Sequence, residues 1–183
     1  MANSALSVVL VGLPGVGKTT VGRAAARLLN WPFVDFDTEI EHRAHATITE
    51  IFAVQGEPHF RELERELTAE LKGCSRSVMS AGGGWIVNEE AVALLRSTAR
   101  IIYLRAAPVT VVARMSRSRG RRPLLEGADP VGKVTVLLAE RQHLYEAADH
   151  MIDTEVIDRK EVIERVRKYA LSLGQESSAL AAS

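Results

Sequence analysis

The chain has a single cysteine, Cys74, among 183 residues. That excludes an internal disulfide and a cysteine metal cluster, and it fits a reducing cytoplasm. Cys74 itself reads as a small residue near the end of a helix. Net charge is lacking too, since 23 Lys and Arg balance 23 Asp and Glu. Nothing therefore points to nucleic acid or an anionic membrane surface as a partner. Long apolar runs are absent, and Leu6–Val11 is far too short for a membrane span. No basic n-region or cleavage site accompanies it, so no secretory signal is expected. No internal repeat is visible. What remains, 46% hydrophobic and 25% charged residues, is the composition of a soluble globular protein. The length suits one domain, over 1–173, with a sizeable core. The last ten residues, Gly174 to Ser183, are small and polar and are expected to form a disordered tail.

The strongest positive signal is Gly12-Leu-Pro-Gly-Val-Gly-Lys-Thr19, which fits G-x-x-x-x-G-K-[ST] with Gly12, Gly17, Lys18 and Thr19 in the fixed places. Before it, Leu6-Ser-Val-Val-Leu-Val11 reads as a buried parallel strand. After it, Thr20 to Leu29 is rich in helix formers with apolar residues at helical spacing. Strand, glycine loop and helix follow in the order a phosphate cradle needs. The glycines let successive N–H groups turn inward toward phosphate oxygens at the start of the helix. Lys18 would reach the β- and γ-phosphates, and the Thr19 hydroxyl would meet Mg²⁺.

Strand candidates alternate with helical patterns along the whole chain, the signature of an α/β fold with a mostly parallel sheet. Further strands are expected at Trp31–Phe36, Ser77–Ala81, Arg100–Leu104 and, weakly, His150–Asp153. Residues 37–72 read as a long helical insertion, with further helices near 88–97, 108–115, 131–147 and 161–173. Ser116-Arg-Ser-Arg-Gly-Arg-Arg-Pro123 carries four arginines and no acid. With the turn formers up to about residue 128, it is longer than a plain connector needs to be.

In open α/β sheets ligands bind beyond the carboxyl ends of the strands. The phosphate loop, Asp35-Phe36-Asp37 and Gly82-Gly83-Gly84 should therefore share one cleft. On a regular strand Asp35 and Asp37 would face the same way. One could stand near the metal and the other beside an acceptor hydroxyl, or Asp37 could simply cap the following helix. The triple glycine is either a loose turn or a place of close backbone approach to a ligand. Arg61 could form an ordinary helical ion pair with Glu64, or a carboxylate clamp that Glu64 orients. Arg141 has the same two readings. The arginine-rich stretch could be solvated surface, or a segment that closes over a polyphosphate.

Together these residues resemble the shikimate kinases, small enzymes of the P-loop nucleoside-monophosphate-kinase-like group. The resemblance spans about residues 6–170. It is carried by the phosphate loop, Phe33-Val-Asp-Phe-Asp-Thr-Glu-Ile-Glu41, Ile48-Thr-Glu-Ile-Phe52, and Gly56-Glu-Pro-His-Phe-Arg-Glu-Leu-Glu64. The triple glycine, Arg122-Pro-Leu-Leu125 and Arg141-x-x-x-Tyr145 complete it. It implies a three-layer α/β/α fold with a five-stranded parallel sheet. It also implies a cytoplasmic monomer that moves the γ-phosphate of ATP to the 3-hydroxyl of shikimate with Mg²⁺, within aromatic amino-acid biosynthesis. By that resemblance, Gly15, Val16, Gly17, Lys18, Thr19, Thr20, Arg114 and Arg122 bind ATP. Asp37, Arg61, Gly82, Gly83, Gly84 and Arg141 bind the acceptor, and Thr19 and Asp35 serve the metal. Lys18, Asp37 and Arg122 are the catalytic set.

The sequence departs from the family pattern at Trp85, where a small or aliphatic residue is usual. Trp85 could pack behind the acceptor site or line it. Upstream of Arg122 the arginine-rich stretch differs in length, and Arg114 is preferred over Arg117 as the second arginine there. Met79-Ser80 replaces a Thr-bearing pattern, and no adenine-contacting arginine is matched near Glu155–Arg159. Two alternatives stand beside this reading: another small-molecule P-loop kinase, such as one for gluconate, and a non-catalytic sensor on the same fold. The first gives no reason for Phe-Arg-x-x-Glu beside Arg-Pro-Leu-Leu. The second should have lost Lys18, Thr19, Asp35 or Arg122, all of which are present.

Overall fold

The computed structural model describes residues 6–117 and 123–180. Five parallel strands form one sheet: β1 (Ser7–Val11), β2 (Phe33–Asp35), β3 (Val78–Ser80), β4 (Ala99–Arg105) and β5 (His150–Asp153). Their order is β2-β3-β1-β4-β5. Val8 stands opposite Val78 on one side and Arg100 on the other, which makes β1 the centre of the sheet. Every residue of β1 is buried, as an uninterrupted Val and Leu run requires when helices cover both faces. The helices are α1 (Lys18–Leu29), α2 (Phe36–Ala44), α3 (Ile48–Leu71), α4 (Glu89–Arg96), α5 (Pro108–Ser116), α6 (Pro130–Glu146) and α7 (Arg159–Leu180). They complete a three-layer α/β/α architecture. None in the described residues is long and apolar enough to cross a membrane.

Three boundaries differ from the sequence reading. The second strand ends at Asp35, because its carboxylate accepts a hydrogen bond from the Thr38 N–H at 3.3 Å and so starts α2 at Phe36. Asp37 therefore lies in the first turn of a helix, and the shared strand face expected for Asp35 and Asp37 does not exist. The cap considered for Asp37 belongs to Asp35. The helical insertion is two helices: α2 closes at His45, and Thr47 with Glu50 forms a capping box that opens α3. α3 is itself broken by Gly56, with φ 80° and ψ 172°, just before Pro58. Finally, α7 continues to Leu180 instead of ending at Leu173. Its backbone is helical from Gly174 to Leu180, within the stretch expected as a tail.

Candidate active site

The carboxyl end of β1 runs into the phosphate loop. Gly12, at φ 138°, brings the loop so close to β4 that a Cβ there would sit 2.5 Å from the Leu104 carbonyl oxygen. α1 begins at Lys18 with Gly17 as its N-cap, and no side chain caps it. Its first N–H groups are left to meet an anion. Lys18 is only 8% exposed, and its ammonium donates to the carbonyls of Gly12 and Leu13 at 2.9 and 3.1 Å. Burial lowers its pKa to about 8, against the pull of Asp37 and Asp35. The cation is thus stored on the loop's own carbonyls, beside two carboxylates.

One residue on, the Thr19 hydroxyl donates to Asp35 at 2.7 Å. A hydroxyl and a carboxylate therefore meet at the head of α1. No group of three or more His, Cys, Asp or Glu that could hold a metal occurs among the described residues. That donor set fits Mg²⁺, which keeps waters and phosphate oxygens and takes one or two protein oxygens. Asp37, in the first turn of α2, faces Gly82. A Cβ on Gly82 would lie 2.5 Å from the Asp37 Oδ1 and 3.3 Å from the Glu64 Oε1. Burial raises the Asp37 pKa, and neighbouring Lys18 holds it back.

The triple glycine is the hub of the other half. Gly84 lies against Arg61, whose Nη2 would be 2.7 Å from a Cβ there. The Gly83 carbonyl accepts from the Arg141 guanidinium at 2.8 Å and from the Tyr145 hydroxyl at 2.9 Å. Arg141 thus reaches across from α6 to the glycine loop. Tyr145, four residues on along α6, is its partner in this contact. It is buried and stacks on Tyr103, with ring centroids 5.1 Å apart, and its pKa is pushed up to about 12 by burial. Arg61 does pair with Glu64, at 2.6 Å through Nη1. Glu64 is completely buried, its second oxygen Oε1 has no hydrogen-bond partner, and burial raises its pKa to about 7. Trp85 is in the core and does not line the site. Its indole N–H donates to Thr68 at 3.0 Å, and its ring meets Phe36 edge-on at 5.9 Å. It buttresses the glycine loop against the helices that carry Asp37 and Glu64.

A cleft of about 600 Å³ gathers residues 15–20 of the loop with Asp35, Asp37, Gly83 and Arg114. Arg114 donates to the Val16 carbonyl at 3.2 Å and to both the hydroxyl and carbonyl of Thr154, at 2.8 and 2.9 Å. Arg117 is exposed at the end of α5. Arg61, Arg141, Gly82 and Gly84 are not among the residues that line the cleft: Gly82 faces Asp37 and Arg141 reaches Gly83, while Arg61 lies against Gly84 and lines a second depression with Pro58 and Asn88. Arg122, and with it part of the stretch expected over 116–128, lies outside the described residues. Thr154, Ile157 and Arg159 also line the cleft. No spacing motif marks this wall in the sequence; its place beyond β5 is the one signal it carries.

The family model described as shikimate kinase matches residues 14–170. A shikimate kinase of Bradyrhizobium diazoefficiens is 45% identical over 163 residues, which is 89% of this chain and 78% of that protein. One from Rhodopseudomonas palustris is 41% identical over 86% of this chain and 77% of its own. Among solved structures, a shikimate kinase from Acinetobacter baumannii in complex with shikimate superposes with a TM-score of 0.83. It has 35% identity and covers 93% of this chain and 96% of the other. A gluconokinase from Sinorhizobium meliloti shares the fold alone, with a TM-score of 0.62 at 14% identity. The chain belongs to the shikimate kinase family.

Proposed function

We propose that this kinase transfers the γ-phosphate of ATP to the 3-hydroxyl of shikimate, acting as a cytoplasmic monomer. The observation that carries this reading is the meeting of two anion-binding halves across Asp37. On one side stands the phosphate loop with Lys18; on the other, Arg61 and Arg141 converge on Gly83 and Gly84. A small carboxylic acid and a nucleoside triphosphate would each find fixed cations, with one carboxylate between them.

In this reading the loop N–H groups and Lys18 hold the polyphosphate, Lys18 exchanging its loop carbonyls for phosphate oxygens. Thr19 and Asp35 would hold Mg²⁺, which when bound neutralises charge on the β- and γ-phosphates. Arg61 and Arg141 orient the acceptor by its carboxylate, and the glycines let it lie against backbone. Asp37 aligns the attacking hydroxyl. As the new P–O bond forms and the bond to the bridging oxygen of ADP breaks, Asp37 takes the hydroxyl proton. Its raised pKa makes it a stronger base than an exposed carboxylate. Phosphoryl transfer needs little beyond such positioning and charge stabilisation. Arg114 holds the loop to the strand end beyond β5, and Arg122 is assigned to the phosphates by resemblance.

ATP consumption by the purified protein with shikimate, quinate and gluconate in parallel tests the proposal. Turnover with shikimate well above the ATP-only background is expected. Turnover with another acid alone would overturn it.

A further inference from the structure

Arg61 is doubly engaged. Its Nη1 is held by the buried Glu64, while Nε and Nη2 both donate to one oxygen of Glu57, at 3.1 and 2.7 Å. The two partners differ in kind. Glu64 is wholly enclosed, whereas the Glu57 side chain is 60% exposed. Glu64 anchors the guanidinium from inside the protein, and Gly84 presses on the Nη1–Nη2 end of the fork. Orientation is thus supplied without Glu57. The Nε–Nη2 edge is the remaining pair of parallel donors, the arrangement that matches the two oxygens of a carboxylate. Glu57 fills it.

Glu57 also sits at a break in the chain. It directly follows Gly56, whose left-handed φ of 80° divides α3, and it opens the second helical section. A carboxylate at a helix start is favoured there by the helix dipole whether or not it pairs with Arg61. Glu57 can therefore leave the guanidinium while keeping a favourable place for its charge.

We propose that Glu57 is a placeholder carboxylate. In the free enzyme it occupies the edge of Arg61 that the carboxylate of the acceptor takes, and acceptor binding exchanges one for the other. The exchange lowers acceptor affinity and selects for acids, because only a ligand carboxylate replaces the ion pair that is given up. This inference rests on the acceptor reading above.

Steady-state kinetics of the full chain with shikimate, at saturating ATP, test it with E57Q and E57A. Gln removes the charge and Ala removes the contact. An exposed pair of this kind weighs little, so KM for shikimate should fall by roughly two- to fivefold in E57Q, and at least as far in E57A. KM for ATP should not move with it. A rise in the shikimate KM would mean that Glu57 positions Arg61, and an unchanged KM would mean that it does not compete; either overturns the inference and leaves the acceptor reading intact. Failure of the unaltered enzyme to phosphorylate shikimate overturns both.

Discussion

Glu64 is a carboxyl that the fold would hold more easily without its charge, and this gives a quantitative prediction. Its side chain is fully buried, one oxygen has no partner, and its pKa is raised from 4.5 to about 7 despite the ion pair with Arg61. Stability changes with pH in proportion to the protons bound by the unfolded chain minus those bound by the folded one. Between pH 4.5 and about 7 the folded protein keeps this proton and the unfolded chain has released it. Stability therefore falls as pH rises through that window, and this contribution is level outside it. Above the window the cost of the ionised, buried carboxylate amounts to about 3 kcal/mol. Glu64→Gln removes the titration while nearly preserving shape. Urea unfolding of both proteins from about pH 4.5 to about pH 8 should show the wild type losing most of that 3 kcal/mol relative to the variant. Asp37, shifted in the same direction, is present in both proteins, so the difference reports Glu64 together with its coupling to Asp37. Parallel stability profiles across the window would refute the reasoning. They would mean that Arg61 compensates the buried charge fully.

Gly82→Ala would place a Cβ 2.5 Å from the Asp37 Oδ1. It should lower kcat on the order of 100-fold by displacing the carboxylate, with thermal stability as the control. By the acceptor role proposed for it, Arg61→Ala should raise the KM for shikimate by roughly 10- to 100-fold. The KM for ATP should barely change; equal damage to both would make Arg61 a structural residue. Trp85→Phe keeps a ring beside Phe36 but loses the hydrogen bond to Thr68. It should cost about 2 kcal/mol of stability in chemical denaturation.

The phosphate loop was legible because its geometry is local: a short span of backbone needs glycine at set places, and sequence spacing records that. The central strand was legible because burial on both faces leaves an unbroken apolar run. The end of β2 was not, since nothing in the periodicity of Phe33-Val-Asp-Phe-Asp37 separates a strand continuing to Phe36 from a helix starting there. One hydrogen bond, from the Thr38 N–H to Asp35, decides it. The role of Trp85 depends on Thr68, seventeen positions away, and on Phe36, still farther along the chain. The cleft wall from Thr154 to Arg159 is assembled by the sheet order, which places β5 beyond β4 and so near Arg114. Contacts made only by topology leave no spacing to read.

Several charged or donor groups of the site already have a partner within the protein. Lys18 is bound to two loop carbonyls, Thr19 to Asp35, Arg61 to Glu57 and Glu64, Arg141 to the Gly83 carbonyl, and Arg114 to Val16 and Thr154. Unpaired, such groups would be costly to hold in a partly buried cleft. A donor that is already paired reaches a ligand only by exchange, so for those contacts affinity reflects the difference between two satisfied states and not the sum of the contacts made. The internal partners differ in how readily they yield. The carbonyls holding Lys18 belong to a loop braced against β4, so they are fixed and any exchange falls to the ammonium. Glu57 can swing into solvent. Glu64 can do neither, and its free oxygen lies beside Gly82 and Asp37. On the acceptor side, then, one carboxylate anchors Arg61 and the other yields it, a division that follows from burial alone.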